Sequence, residues 1–255
     1  LVYSLPDLML VKTIPATRPV LGLGFTDNGN GIAVLTADDA VRIHPLAGAG
    51  EPAVLKITKT GGTFRSLAVT VSNSMLALGT STGELILIDT GGGKTVSRKT
   101  PLQAVNYLPF SRDGALLAAA GVRDCLLVRT AGLSVKGTVR LESPPVSLAF
   151  SPDGKFLAAG TLFWKVHLLT ADAGATKGNL EIDMDPVSSL AFHPERKWLL
   201  AGSGKTGKGT LHLLAWPELR LVKVFRMQLE EIVNIASLGA EFLIITSDGT
   251  IQILR

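Results

Sequence analysis

The chain has 255 residues, 46% of them apolar but only 5% aromatic, with 27 glycines and 13 prolines: enough apolar matter for a sizeable core, built from small residues and turns rather than large rings. Lys and Arg number 25 against 21 Asp and Glu, a formal charge of +4 that admits an acidic partner without requiring one. A single cysteine, Cys125, excludes an intrachain disulfide framework and any multi-cysteine metal site; in the run Cys125-Leu-Leu-Val128 it reads as a small core residue. The longest apolar run, 115–122, includes Gly121 and falls far short of the ~18 residues of a membrane span.

In chain order, the first stretch, Val2 to Lys12, matches Leu213 to Lys223 at a constant offset of 211, down to the Pro-Glu or Pro-Asp turn in its middle. Short apolar runs then recur around Leu23-Gly-Phe25, Leu67-Ala-Val69, Leu108-Pro-Phe110, Leu148-Ala-Phe150, Leu190-Ala-Phe192 and Ile235-Ala-Ser237, spaced by 40 to 45 residues. A second run follows each one, as at Met75-Leu-Ala-Leu78 and Phe156-Leu-Ala-Ala159. These second runs do not alternate with polar residues and so predict strands buried on both faces. Third runs follow, such as Leu85 to Ile88 and Val166 to Leu169. Fourth runs, such as Lys94 to Lys99 and Leu219 to Phe225, are polar and basic, as suits an outer, solvent-facing strand. A repeat of this length holding four strands is the mark of propeller blades, and no long 3.6-residue periodicity competes with it.

The expectation is an all-β fold, a β-propeller of four-stranded blades forming one domain over 1–255. Its units lie near 1–14 (partial), 20–59, 64–99, 104–141, 146–182, 187–226 and 232–255 (partial). Six inner triplets plus the leading pair give seven blades, one incomplete. The alternative is six, with Leu8 to Ile14 closing the last. On this reading the sequence is a piece of a longer protein.

Leu148 to Gly160, LAFSPDGKFLAAG, and Thr246 to Leu254, TSDGTIQIL, resemble the WD-repeat propeller family. The family's Gly-His pair before the first strand and its Trp-Asp pair after the third are absent; Ile88-Asp89 and Trp216 are the nearest remnants, while turn aspartates remain at Asp39, Asp124 and Asp248. Without the hydrogen-bonded tetrad those pairs build, blade stability is expected to rest mainly on apolar packing. The resemblance implies a rigid platform on which other proteins assemble, usually without chemistry of its own, which is an analogy of fold.

No pattern of residues signals catalysis. Gly202 to Gly209 has a Gly-Lys-Thr at 204–206 but no glycine four residues ahead and no helix behind, so it reads as a long turn rather than a phosphate loop. His167 and His212 share the register of Arg42 and Gln252 in other third strands, a repeated packing position whose copies lie ~10 Å apart, too far to share a metal. No catalytic, cofactor or metal residue is assigned, and no cofactor is expected. Phe163-Trp164 stands where other units carry a polar turn such as Ser81-Thr-Gly83, and aromatics there make interface anchors. With Arg18, Arg123, Lys205 and Lys208, in loops expected to open on the same face, they form the candidate partner-binding surface.

The function expected is a non-catalytic protein-interaction scaffold, one subunit of a larger assembly, intracellular and in the cytoplasm. Its partners would be other proteins, acidic ones included. The basic outer strands lack the interleaved aromatics that base stacking needs, so nucleic acid has no specific signal. Two alternatives stand beside it. One is an exchange or coat factor for a small GTPase in membrane traffic, acting through 202–209. The other is a propeller hydrolase or lactonase with a central metal, which needs inward carboxylates, Asn or His where the first strands carry mainly Leu, Val, Ser and Phe.

Overall fold

The computed structural model describes residues 2–4, 9–26, 29–48, 50–70, 75–91, 93–182, 185–204, 209–226, 230–238 and 240–254. It is all-β apart from short turns, and the strands fall into successive antiparallel meanders, the blade pattern of a β-propeller. The chain divides into two compact units, 1–106 and 107–255.

The first unit opens on a pair, β1 (Val2–Tyr3) with β2 (Leu10–Lys12). Two complete blades follow: β3 (Val20–Thr26), β4 (Gly31–Thr36), β5 (Ala40–Pro45) and β6 (Ala53–Leu55), then β7 (Phe64–Thr70), β8 (Met75–Thr80), β9 (Glu84–Asp89) and β10 (Thr95–Lys99). Lys12 of β2 donates to the carbonyls of Pro45 and Gly48, tying the leading pair to the blade after it.

The second unit holds β11 (Leu116–Ala120), β12 (Asp124–Arg129) and β13 (Ser134–Arg140) in one sheet. Two four-stranded blades come next: β14 (Pro145–Phe150), β15 (Phe156–Thr161), β16 (Lys165–Thr170) and β17 (Thr176–Glu181), and β18 (Ser189–Phe192), β19 (Trp198–Ser203), β20 (Thr210–Ala215) and β21 (Arg220–Arg226). A three-stranded sheet of β22 (Ile232–Leu238), β23 (Glu241–Thr246) and β24 (Ile251–Leu254) completes it. Among the described residues six sheets are blades of three or more strands. The β1–β2 pair is what a seventh would supply as its third and fourth strands.

Burial follows the strand order. Leu76 to Leu78 of β8, Leu85 and Ile86 of β9, and Leu157 to Ala159 of β15 are fully enclosed, because each inner strand has a sheet packed on both faces. Outer strands are wet: β10 and β21 are exposed along most of their length, and their Lys and Arg discourage edge-to-edge pairing.

Glycine at one repeated place sets how closely blades meet. A Cβ on Gly79 would lie 2.4 Å from Val105 Cγ1, and one on Gly160 would lie 2.6 Å from Val187 Cγ1, so the second strand presses on the chain that begins the next blade.

One expectation needs correction. The run Leu108-Pro-Phe110 does not form a continuous first strand. Only isolated bridges, Tyr107 to Ala120 and Phe110 to Leu117, hold it to β11, since Pro109 has no N–H to give the ladder. Beside the apolar packing, hydrogen bonds join one blade to the next. Ser66 Oγ donates 2.8 Å to Val105 O, and Ser147 Oγ donates 2.6 Å to Val187 O, from one blade to the start of the next. Asp39, one of the turn aspartates, accepts from Phe64 N at 2.6 Å, and Glu84 accepts from Thr60 N and Thr60 Oγ1 at 2.9 and 2.8 Å. These bonds replace the missing tetrad with another set.

Candidate partner-binding surface

The turn between a blade's second and third strands is built the same way in several units. Its first residue donates backbone N–H to the connection that precedes the blade: Ala37 to Pro19 O, Ser81 to Thr63 O, Leu162 to Pro144 O, Ser247 to Glu231 O, all at 2.8 or 2.9 Å. Its third residue adopts positive φ: Asp39 at 66°, Gly83 at 81°, Trp164 at 60° and Gly249 at 84°. Glycine, Asp and Asn are the residues that accept this region at low cost, because a Cβ there crowds the following carbonyl. Trp164 therefore occupies a place the backbone prefers to give to glycine.

That backbone is held from both sides. Phe163 N donates to Ser143 Oγ at 3.0 Å, and Ser143 is buried; Ile182 N donates to Trp164 O at 2.9 Å. The rings are not correspondingly enclosed. Phe163 is 52% exposed and Trp164 39%, and the two lie 6.3 Å apart at 52°. Thus a rigid loop presents two aromatic rings to solvent.

Neighbouring groups extend the surface. Leu141 N donates to Arg123 O at 2.8 Å, so Val122-Arg123, in the turn between β11 and β12, flanks the 141–144 connection opposite Leu162 to Trp164. Val122 and Leu162 are both exposed. Lys165, the residue after Trp164, is shared by two carboxylates: its Nζ lies 2.8 Å from Glu142 Oε2 and 3.3 Å from Glu181 Oε1. Those hydrogen bonds raise the lysine's pKa, and the one from Lys165 lowers that of Glu142. Arg140 pairs with Asp124 at 3.6 Å beside them.

Of the six residues expected to form the surface, Phe163 and Trp164 are side by side on the turn, and Arg123 is bonded through its carbonyl to Leu141, at the start of the connection that carries Ser143. Arg18 is exposed in the first unit, next to Pro19, on a connection equivalent to the one that carries Ser143. Lys205 and Lys208 lie outside the described residues, as do 206 and 207 between them. Glu142 and Glu181 went unread in the sequence because each is about twenty residues from Lys165. Leu162 could have been found from its adjacency to Phe163.

Elsewhere the titratable groups are structural. His167 and His212 are buried in separate sheets, and burial pushes the His167 pKa down. His193 is locked by its own turn, accepting at Nδ1 from Glu195 N and Arg196 N, with Nε2 3.1 Å from Ala240 O. Asp248 accepts from Thr246 Oγ1 and Thr250 N within its turn. Among the described residues no three of His, Cys, Asp and Glu lie close enough to share a metal ion. No described helix is long and apolar enough to cross a membrane.

At the opposite end of the second unit's strands lies a cavity of about 500 Å³ between the beginnings of its blades. Phe110, Phe150, Phe192 and Ile235 line it, with Arg112, Ser151 and Ser237 as polar groups and, among the described residues, no Asp, Glu, Asn or His. Such a lining offers no general base and no ligand for a hydrolytic metal.

The sequence profile of the WD domain, G-beta repeat, matches residues 133–162 and 178–210. Each stretch starts in or just before the outer strand of one blade and runs through the second strand of the next, so the sequence repeat is out of phase with the sheets. The first stops one residue short of Phe163. Saccharomyces cerevisiae U3 small nucleolar RNA-associated protein 18 is 34% identical over 138 residues, 47% of this chain. That match spans only 23% of the yeast protein's length.

Proposed function

Because the chain is a divergent member of the WD-repeat propeller family, we propose that it works as a non-catalytic interaction scaffold, a subunit of an assembly built around a small nucleolar RNA. The observation that carries the scaffold role is the pair Phe163 and Trp164, both exposed on a doubly tied turn where sister turns use glycine or aspartate at the position of Trp164. A strained aromatic with more than a third of its surface in solvent suits an interface anchor. The printed name of the yeast relative supports an assembly with small nucleolar RNA, a different setting from the cytoplasm expected from sequence. The carboxylate-free cavity speaks against the hydrolase alternative.

The test is affinity capture of the tagged protein under native conditions, with quantitation of U3 small nucleolar RNA in the eluate against an abundant unrelated RNA. Enrichment that survives the wild-type chain and falls with Trp164→Gly supports the reading. A captured set lacking that RNA removes the assembly, and a set unchanged by Trp164→Gly removes the surface.

A further inference from the structure

A second cavity, of about 290 Å³, lies between the blade of β18 to β21 and the sheet of β22 to β24. Its floor is the buried core shared by the two sheets, with Leu213 of β20 and Phe242 of β23. Its rim is exposed and basic. Arg196 Cζ lies 4.6 Å from the ring centre of Trp198, and Lys223 Nζ lies 4.7 Å from that of Phe225. His193, also in the wall, is T-shaped to both Trp198 and Phe242 and is fixed by its hydrogen bonds within the turn.

Charge at this cleft does not cancel. Among the described residues no Asp or Glu lines it, and no ion pair holds Arg196 or Lys223. Glu195 and Glu241 adjoin lining residues in the chain, but so do Lys197 and Arg226, which leaves the two rim cations in surplus. Alternation along β23 also turns Glu241 to the face opposite Phe242. An aromatic face holds a cation in place without neutralising it, so both charges remain available to a ligand.

We infer that this cleft takes a segment of a partner protein in which an aspartate or glutamate stands next to a bulky apolar side chain. The apolar side chain fills the cavity over Leu213 and Phe242, which has room for one such group and none for a folded element. The carboxylate meets Arg196 and Lys223 at the rim, where a guanidinium lying over an indole keeps its in-plane N–H groups for an acceptor. A basic segment would bring like charge to a rim with no carboxylate to receive it. A nucleobase is a poorer occupant. Arg196 and Lys223 already cover a face of Trp198 and of Phe225, and both ring nitrogens of His193 are engaged, so stacking surface and free hydrogen-bonding edges are both short. The inference does not rest on the reading of Leu162 to Trp164 and gives the scaffold an independent second contact.

In the experiment, fluorescein-labelled peptides Gly-Gly-X-Z-X-Gly-Gly, with X as Asp, Lys or Ser and Z as Phe, Leu or Ser, are titrated with the full chain at 50 and 300 mM salt and read by anisotropy. Peptides with Asp around Phe or Leu should bind, and those with Lys or Ser at X should not. Ser at Z should weaken binding about tenfold or more. The double variant Arg196→Gln/Lys223→Gln should weaken the Asp-Phe-Asp peptide about tenfold and flatten its salt dependence. Ala240→Trp, which enlarges a lining side chain and leaves both cations, should abolish binding. Trp164→Gly should leave it unchanged.

Lys or Ser peptides bound as tightly as Asp peptides, an Asp-Phe-Asp peptide indifferent to the cleft variants, or no peptide bound at all overturns the inference. None of these results touches the scaffold reading, which capture with Trp164→Gly decides. Labelled oligouridylate that binds where the peptides do not, and is lost in Arg196→Gln/Lys223→Gln, overturns the inference in favour of RNA. All three cleft substitutions fall on exposed residues, and circular dichroism with a thermal melt of each variant separates lost binding from lost fold.

Discussion

Ser147 Oγ donates 2.6 Å to the carbonyl oxygen of Val187, forty residues on, and Gly160 leaves the space in which that bond forms. A Cβ on Gly160 would lie 2.3 Å from Ser147 Oγ and 2.6 Å from Val187 Cγ1. Ser66, Gly79 and Val105 repeat the arrangement in the first unit. Blade spacing is thus a three-residue device made of a small residue, a hydroxyl and a carbonyl.

Ser147→Ala should cost about 1 kcal/mol by leaving the Val187 carbonyl unpaired, and Gly160→Ala about 1–3 kcal/mol by overpacking. Because the new methyl meets Ser147 Oγ, the double variant should be less destabilised than the two single losses together. Urea unfolding of the four proteins reads this coupling directly; strict additivity would show that the residues do not share a space.

Trp164→Gly should lower stability by about 1–3 kcal/mol: the residue is 39% exposed, so most of its area is covered, and the burial lost outweighs the ~1–2 kcal/mol of strain relieved at positive φ. Trp164→Val should cost more, because a β-branched residue loses much of the same burial and tolerates positive φ poorly. Thermal melts separate the two, with ~2–4 °C expected per kcal/mol in a chain of this size. A glycine variant as stable as the parent would show that the ring packs on little.

The pH dependence has two parts. Burial lowers the His167 pKa, so the unfolded chain binds this proton more readily, and stability falls as pH drops below the imidazole's ordinary value of 6.5. Asp38 is held down to about 2, chiefly by its hydrogen bond from Arg42; its contribution is intact above its ordinary 3.8 and is lost as pH falls toward about 2. The thermal midpoint should therefore decline in two stages on acidification. His167→Leu should flatten the first without touching the second, and Asp38→Asn should act on the second alone.

Cys125 is buried, and burial, with a smaller push from Asp124, drives its thiol to about 12. A thiol-reactive dye at pH 8 should label the folded protein about a thousandfold more slowly than free cysteine, and at the ordinary rate in 6 M guanidinium. Rapid labelling of the folded chain would place Cys125 outside the core.

The repeat, the strand order within each blade and the identity of buried and wet strands were all legible in the sequence. They follow from local alternation, from turn residues such as Ser151-Pro-Asp-Gly154 and from a fixed spacing, each a property of neighbours along the chain. Even the misread first strand at Leu108-Pro-Phe110 carried its explanation in Pro109. Phe163 and Trp164 could be picked out because they break the repeat. What their surroundings are could not be read. The pairing of Lys165 with Glu142 and Glu181 joins residues from three separate segments. Tertiary structure alone decided that Trp164 stands at positive φ with its ring partly in solvent. Sequence reports which residues are unusual, whereas the electrostatics of a surface depend on distances that only folding sets.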